Sequence, residues 1–206
     1  MLPAPRTVIV GNASYVPPRV VPNADFIERP LLDGDGRPFA KANEEIVAQL
    51  EAITGIRERR WVADDQVASD IALLAARAAL DSSGIDPESL DLISVAHNFG
   101  DVRAGNRRSD FVPSLAARVK HGLAIANPWS VAYDVAFGCP GWLHAVLLAH
   151  DAIRVGRVRR ALVVGAETLS RISDPCDRDG MIYSDGAGAT ILEARAADPG
   201  DPPFGV

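Results

Sequence analysis

The sequence predicts an α/β fold built on a mostly parallel sheet. Three observations carry this. Short apolar, β-branched runs alternate with helical patterns along the chain. Two of the strand runs, Leu90 to Ala96 and Ala161 to Gly165, are mostly apolar, as strands buried on both faces are. Hydrophobic residues make up 48% of the 206, enough for a substantial core.

The elements follow in order. Arg6 to Gly11, with Thr-Val-Ile-Val, reads as a first strand. Residues 30–42 hold Pro30, Asp33-Gly34-Asp35-Gly36 and Pro38, a turn-rich loop. Asn43 is the expected N-cap of a helix with Glu44 and Glu45 in its first turn, running to about Ile53 and stopping before Gly55. Arg57 to Val62 is short and extended. Ser69 is the expected cap of the next helix, whose stripe is Ile71, Leu74, Ala75 and Ala78 and whose end is Gly84. Pro113 to His121 reads as a short helix and Val131 to Phe137 as a strand. Gly141 to Val155 is a helix apolar nearly all round, so it is expected inside the protein. Ser184 to Glu193 turns through Asp185-Gly186-Ala187-Gly188-Ala189 into a last strand. The domain is expected over residues 1–195. Residues 196–206, rich in Pro, Gly and Asp, read as a linker or the start of a missing second half.

Composition excludes several classes. A net charge of −6 argues against nucleic acid as a partner. No apolar run spans a bilayer, and the first residues lack the pattern of a signal peptide, so a cytoplasmic protein is expected, with Cys139 and Cys176 reduced. No metal or cofactor is expected. The two cysteines lack zinc spacing, Pro175 and Gly186 occupy positions where a calcium loop needs ligands, and Gly186 and Gly188 lack the rest of a dinucleotide fingerprint.

Cys139 is the candidate nucleophile. A strand-like run, Tyr133-Asp134-Val135-Ala136-Phe137, leads into Gly138-Cys139-Pro140-Gly141 and then a long helix. Such a turn lifts one side chain to the head of a helix, where free N–H groups and the dipole favour a thiolate, the form that attacks carbonyls. The competing reading is a buried structural cysteine. Cys176, in an Asp-rich loop with no such turn, reads as structural. His144 and His150 lie well along the helix from Cys139 and read as non-catalytic. His97 follows a strand and reaches the rim of the pocket or is simply a satisfied loop histidine. Arg57, Arg59 and Arg60, and Arg154, Arg157, Arg159 and Arg160, are basic clusters: docking patches for an acidic partner, or solvated helix ends.

Five motifs occur in one order: Thr54-Gly55-Ile56-Arg57-Glu58-Arg59, Cys139-Pro140-Gly141, Val163-Val164-Gly165-Ala166-Glu167, Asp174-Pro175-Cys176-Asp177-Arg178 and Asp185-Gly186-Ala187-Gly188-Ala189. The set resembles β-ketoacyl-acyl-carrier-protein synthase III, a branch of the thiolase-fold condensing enzymes, from about Val8 to Leu192. The resemblance implies one half of a five-layered αβαβα core. It implies Cys139 as the residue that takes an acyl group from a thioester, for decarboxylative condensation with malonyl-carrier protein. It also implies Arg178 as a substrate contact, acyl carrier protein and an acyl thioester (on coenzyme A or the carrier) as partners, and a homodimer joined through the strand 131–137. The family's His and Asn have no matching positions in this chain. Gln49 and Ile53 stand where members that use coenzyme A carry the Trp and Arg that clamp its adenine, so a carrier-bound donor is expected. Two further readings are an ester-forming acyltransferase relative and a non-catalytic partner subunit of the same fold.

Overall fold

The computed structural model describes residues 5–196. The predicted tail, from residue 197 on, lies outside them. Five strands make the central sheet: β1 (Arg6–Tyr15), β4 (Leu92–His97), β7 (Val131–Ala136), β8 (Arg160–Glu167) and β9 (Gly186–Arg195). Their order is β1-β9-β8-β4-β7. β4 pairs in parallel with β7 and β8, while β9 pairs antiparallel with β8 and β1. Four strands therefore run one way and β9 alone opposes them, which is the α/β sheet the sequence predicts. β1 is longer than predicted and changes register between Ile9 and Gly11, a bulge that bends its second half along β9.

Helices cover both faces. α2 (Ala68–Ser83) and α3 (Leu115–Gly122) lie on one side, where Ile71, Ala75 and Ala79 pack on Ile93, Leu162, Val164 and Ile191. α4 (Gly141–Arg154) lies on the other, its Ala145, Val146, Ala149 and Ile153 against Leu92, Ala96, Ala161 and Val163. β4 is buried along its whole length. A separate arm joins β2 (Arg19–Pro22) to β3 (Glu58–Trp61) and packs with α1 (Asn43–Thr54) around Val21, Phe26, Val47 and Met181. A two-stranded hairpin, β5 (Asp101–Val102) and β6 (Ser109–Asp110), stands between β4 and α3.

Several local expectations are corrected. Asn43 is not the cap of α1, which is Ala42; its amide donates to the carbonyls of Ile27 and Arg29. Ser69 is not the cap of α2, which is Val67; the Ser69 N–H and hydroxyl donate to Asp101, while Asp70 accepts the Val67 N–H. The buried stripe of α2 runs through Ile71, Ala72, Ala75, Ala76 and Ala79, and Leu74 and Ala78 face outward. Small side chains let this helix lie close to the sheet, so alanines rather than leucines mark its inner face. α4 is not buried all round: Leu143 and Leu147 are 52% and 50% exposed. Among the described residues only one side of α4 meets a sheet. Arg59 is not part of a solvated cluster. It is 3% exposed, and its guanidinium donates to the carbonyls of Met181 and Val21 and to Asn23 Oδ1, over the ring of Phe26.

Candidate active site

β7 ends at Ala136 and α4 begins at Gly141, so the chain turns through Phe137 to Pro140. The Gly141 N–H closes the turn on the Gly138 carbonyl (2.7 Å), and the His144 N–H reaches the Pro140 carbonyl (2.9 Å). Pro140 is the N-cap, one place earlier than the first helical position, and costs no bond because it has no N–H to satisfy. The N–H groups of Trp142 and Leu143, in the first turn of α4, have no intrahelical acceptor. Cys139 precedes the cap and is exposed and unpaired. Among the described residues nothing buries it.

The head of the helix packs closely on the sheet at two glycines. A Cβ on Gly141 would meet Ala96 Cβ at 3.3 Å and Phe137 Cβ at 3.5 Å. A Cβ on Gly165 would meet Trp142 Cβ at 3.2 Å. The glycines thus let α4 and β8 approach closely where the head of the helix crosses the sheet.

Cys139 opens on a cleft of about 250 Å³ at the ends of β4, β7 and β8, lined also by His97, Asn98, Trp142 and Glu167. Asn98 gives its backbone N–H (2.8 Å) and its side-chain amide (2.7 Å) to Glu167 Oε2. His97 is buried. Its Nδ1 accepts the Gly100 N–H (3.0 Å), which leaves the ring proton on Nε2, facing Asp134 Oδ2 at 3.0 Å. Asp134 also accepts the N–H groups of Leu115 and Ala116 (2.8 Å each) at the start of α3. Of the two sequence readings of His97 the structure matches both in part: it lines the cleft, and both of its nitrogens are engaged.

Burial would raise the Asp134 carboxyl, but the His97 bond and the two backbone N–H groups outweigh it and hold the carboxyl below its ordinary range. A lowered folded-state pKa adds stability that is complete above the unfolded value, about 3.9, and is lost as pH falls through the folded value. Acid denaturation curves should therefore be steeper for the wild-type chain than for Asp134→Asn, with the difference confined to acidic pH. Parallel curves would refute this.

The other predicted residues stand apart from Cys139. Arg178 lies over the ring of Phe39 (5.1 Å), with Nε on Asp179 Oδ1 (3.2 Å), in a separate cleft that Cys176 also lines. Cys176 is half-buried, with its N–H on Asp174 Oδ1. His144 stacks on Phe137 (5.0 Å between centroids), and His150 Nδ1 meets Thr7 Oγ1 (2.8 Å). Gln49 accepts a bond from Lys41 Nζ, and Ile53 is exposed; neither lines the cleft of Arg178.

Sequence reasoning passed over the polar groups that brace the site. Asp134 carried a signal, since a carboxylate inside an apolar strand needs a buried partner. So did Asp185, the first residue of its glycine-rich motif. It is buried, and its carboxylate accepts the Val62 N–H (2.9 Å), the Ser170 N–H (2.9 Å) and the Ser170 hydroxyl (2.5 Å). One side chain thus joins the arm, the segment after β8 and the start of β9 beside the cleft. Asp185→Ala would leave these donors without an acceptor, and a loss of about 3–4 kcal/mol is expected. Denaturant unfolding with an unchanged slope would measure it; a loss below about 1 kcal/mol would show that water replaces the carboxylate.

Comparison with known proteins places this geometry. The family described as 3-oxoacyl-[acyl-carrier-protein (ACP)] synthase III matches residues 133–202. The β-ketoacyl-[acyl-carrier-protein] synthase III of Bradyrhizobium diazoefficiens is 38% identical over 191 residues, covering 92% of this chain and 52% of the relative. The chain spans about half the length of the curated relatives it matches. Among solved structures, the 3-oxoacyl-(acyl carrier protein) synthase III of Pseudomonas aeruginosa PAO1 matches with a TM-score of 0.73 at 30% identity, over 94% of this chain and 51% of that one. The priming β-ketosynthase of the R1128 polyketide pathway matches with a TM-score of 0.77 at 27% identity, over 96% and 52%.

Proposed function

We propose that the chain is part of a 3-oxoacyl-[acyl-carrier-protein] synthase III and supplies the acyl-accepting cysteine of a condensing acyltransferase. The observation that carries this is Cys139: exposed, at the head of α4, on a cleft at the ends of three strands. The thiolate attacks the carbonyl of an acyl thioester, and the carbonyl oxygen becomes an oxyanion. Unpaired N–H groups at the head of α4 suit that charge. Collapse forms the Cys139 thioester and releases the donor's thiolate, which takes up a proton. In the second step malonyl-carrier protein loses CO2, and the resulting enolate carbon attacks the acyl carbonyl, forming a carbon–carbon bond and releasing the Cys139 thiolate.

The donor is acyl-carrier protein or acyl-coenzyme A. Gln49 and Ile53, at the positions of the family's adenine clamp, favour the carrier, while Arg178 over Phe39 offers one remaining contact for a donor. The enzyme works as a cytoplasmic homodimer in fatty acid, polyketide or related biosynthesis. Among the described residues no helix is long and apolar enough to cross a membrane.

The test is to incubate the chain with acyl-carrier protein and, separately, with acyl-coenzyme A, and to map the adduct by peptide mass spectrometry. A single acyl group on the peptide of Cys139 is expected. Because both nitrogens of His97 are engaged and the family's His and Asn have no match in these residues, loading should be slow and no condensation product should form from the chain by itself. An acyl group on Cys176, or loading that survives loss of Cys139, would overturn the assignment.

A further inference from the structure

We propose that His97 is a positioning residue for Cys139, a role that rests on reading Cys139 as the nucleophile. His97 ends β4, and its side chain is fully buried. A buried imidazole is costly unless both nitrogens are satisfied. Here they are, and each bond fixes a different segment. Nδ1 takes the Gly100 N–H and folds the chain back as it leaves β4. Nε2 donates to Asp134 of the neighbouring strand β7, which in turn holds the first turn of α3. The main-chain carbonyl of His97 accepts the Phe137 N–H (3.2 Å), the last ladder bond before the turn that bears Cys139. The next residue, Asn98, is tied to Glu167 at the end of β8.

Residues 97 and 98 therefore bind together the ends of β4, β7 and β8 around the cleft. An apolar side chain of similar size would fill the space. It would also strand the Gly100 N–H and take from Asp134 the one side-chain donor that ties β7 to the end of β4 beside their ladder. The turn from Phe137 to Pro140 would then lose its fixed base, and with it the alignment of the Cys139 sulfur with the N–H groups of α4. His97 touches no reacting atom in this scheme. It acts through the strand ends.

The experiment is site-resolved alkylation with iodoacetamide, read by peptide mass spectrometry, with Cys176 of the same molecule as internal control. His97→Leu, which loses both side-chain hydrogen bonds, is expected to slow labelling of Cys139 about fivefold, with Cys176 unchanged. His97→Gln, which keeps a donor and an acceptor, is expected to restore most of the rate. His97→Asn still offers an acceptor to Gly100 but does not reach Asp134; it keeps the test open should the Leu variant fail to fold, and it too should slow Cys139. Equal or faster Cys139 labelling in His97→Asn and His97→Leu, failure of Gln to restore the rate, or parallel changes at Cys176 would each overturn the proposal. If Cys139 proves not to accept acyl groups while this labelling pattern holds, the proposed function fails and the positioning role stands.

Discussion

Cys139→Ala is expected to abolish acyl loading, a fall of at least about a thousandfold, as removal of a covalent nucleophile does in other enzymes. Cys176→Ala should stay within about twofold of the wild-type rate, the range of substitutions away from a site. The contrast follows from where the two thiols stand. Cys139 lies before the cap of α4 and opens on the cleft. Cys176 lies in the Asp174–Asp177 turn, lining a different cleft. Cys139→Ser should be nearly as inactive as Ala. A hydroxyl needs a base to remove its proton. Of the nearby histidines, His97 has both nitrogens engaged and His144 is stacked on Phe137. Rates of acyl transfer from acyl-carrier protein, followed by intact mass, would measure all three variants. Loading above about one tenth of wild type in Cys139→Ala would sink the nucleophile assignment; so would Cys139→Ser matching wild type, since that would require a base that the described residues do not place.

The turn that bears Cys139 was legible because its setting is local. A strand, a glycine, a proline and a helix follow one another within ten residues, and that order alone builds the turn. Gly55 and Gly84 were legible as helix ends for the same reason: each takes a positive φ that closes its own helix. What escaped were side chains whose partners are far away in sequence. Asn43 and Ser69 have the chemistry of caps, but carbonyls near residue 28 and the carboxylate of Asp101 compete for them. Arg59 looks like one member of a basic run, yet it is buried because Met181, more than a hundred residues on, offers its carbonyl. The outer face of α4 is a different case. Its apolar residues were read as buried, and Leu143, Leu147 and Leu148 are instead open on the side away from the sheet. Periodicity reports that a helix has two apolar faces. It does not report what covers them.

The free edge of β7 carries the last prediction. Among the described residues β7 closes one side of the sheet and pairs only with β4. Trp129 and Val131, at its start, are 85% and 56% exposed, and Phe137 at its end is also exposed. An apolar edge with open backbone groups invites another strand, and a twofold axis lets one copy of β7 pair with a second. The register says which groups are available. The N–H of Val131 bonds to the Asp91 carbonyl and that of Phe137 to the His97 carbonyl, both toward β4. Alternation then turns Tyr133 and Val135 toward β4 as well, and leaves the N–H groups of Ala132, Asp134 and Ala136 on the open edge. Proline at Val135 would therefore break the chain's own ladder and destabilise the fold itself. Proline at Ala132 removes only an edge donor, and does so twice across a twofold axis. Ala132→Pro is expected to weaken the proposed homodimer by about 2–3 kcal/mol, on the order of fiftyfold in its dissociation constant, while leaving the unfolding of the monomer nearly unchanged. Sedimentation equilibrium across a concentration series would read the first, and denaturant unfolding at low concentration the second. A stable wild-type monomer would remove the interface altogether. Equal dissociation of the wild-type and Ala132→Pro chains would leave a dimer that does not use this edge.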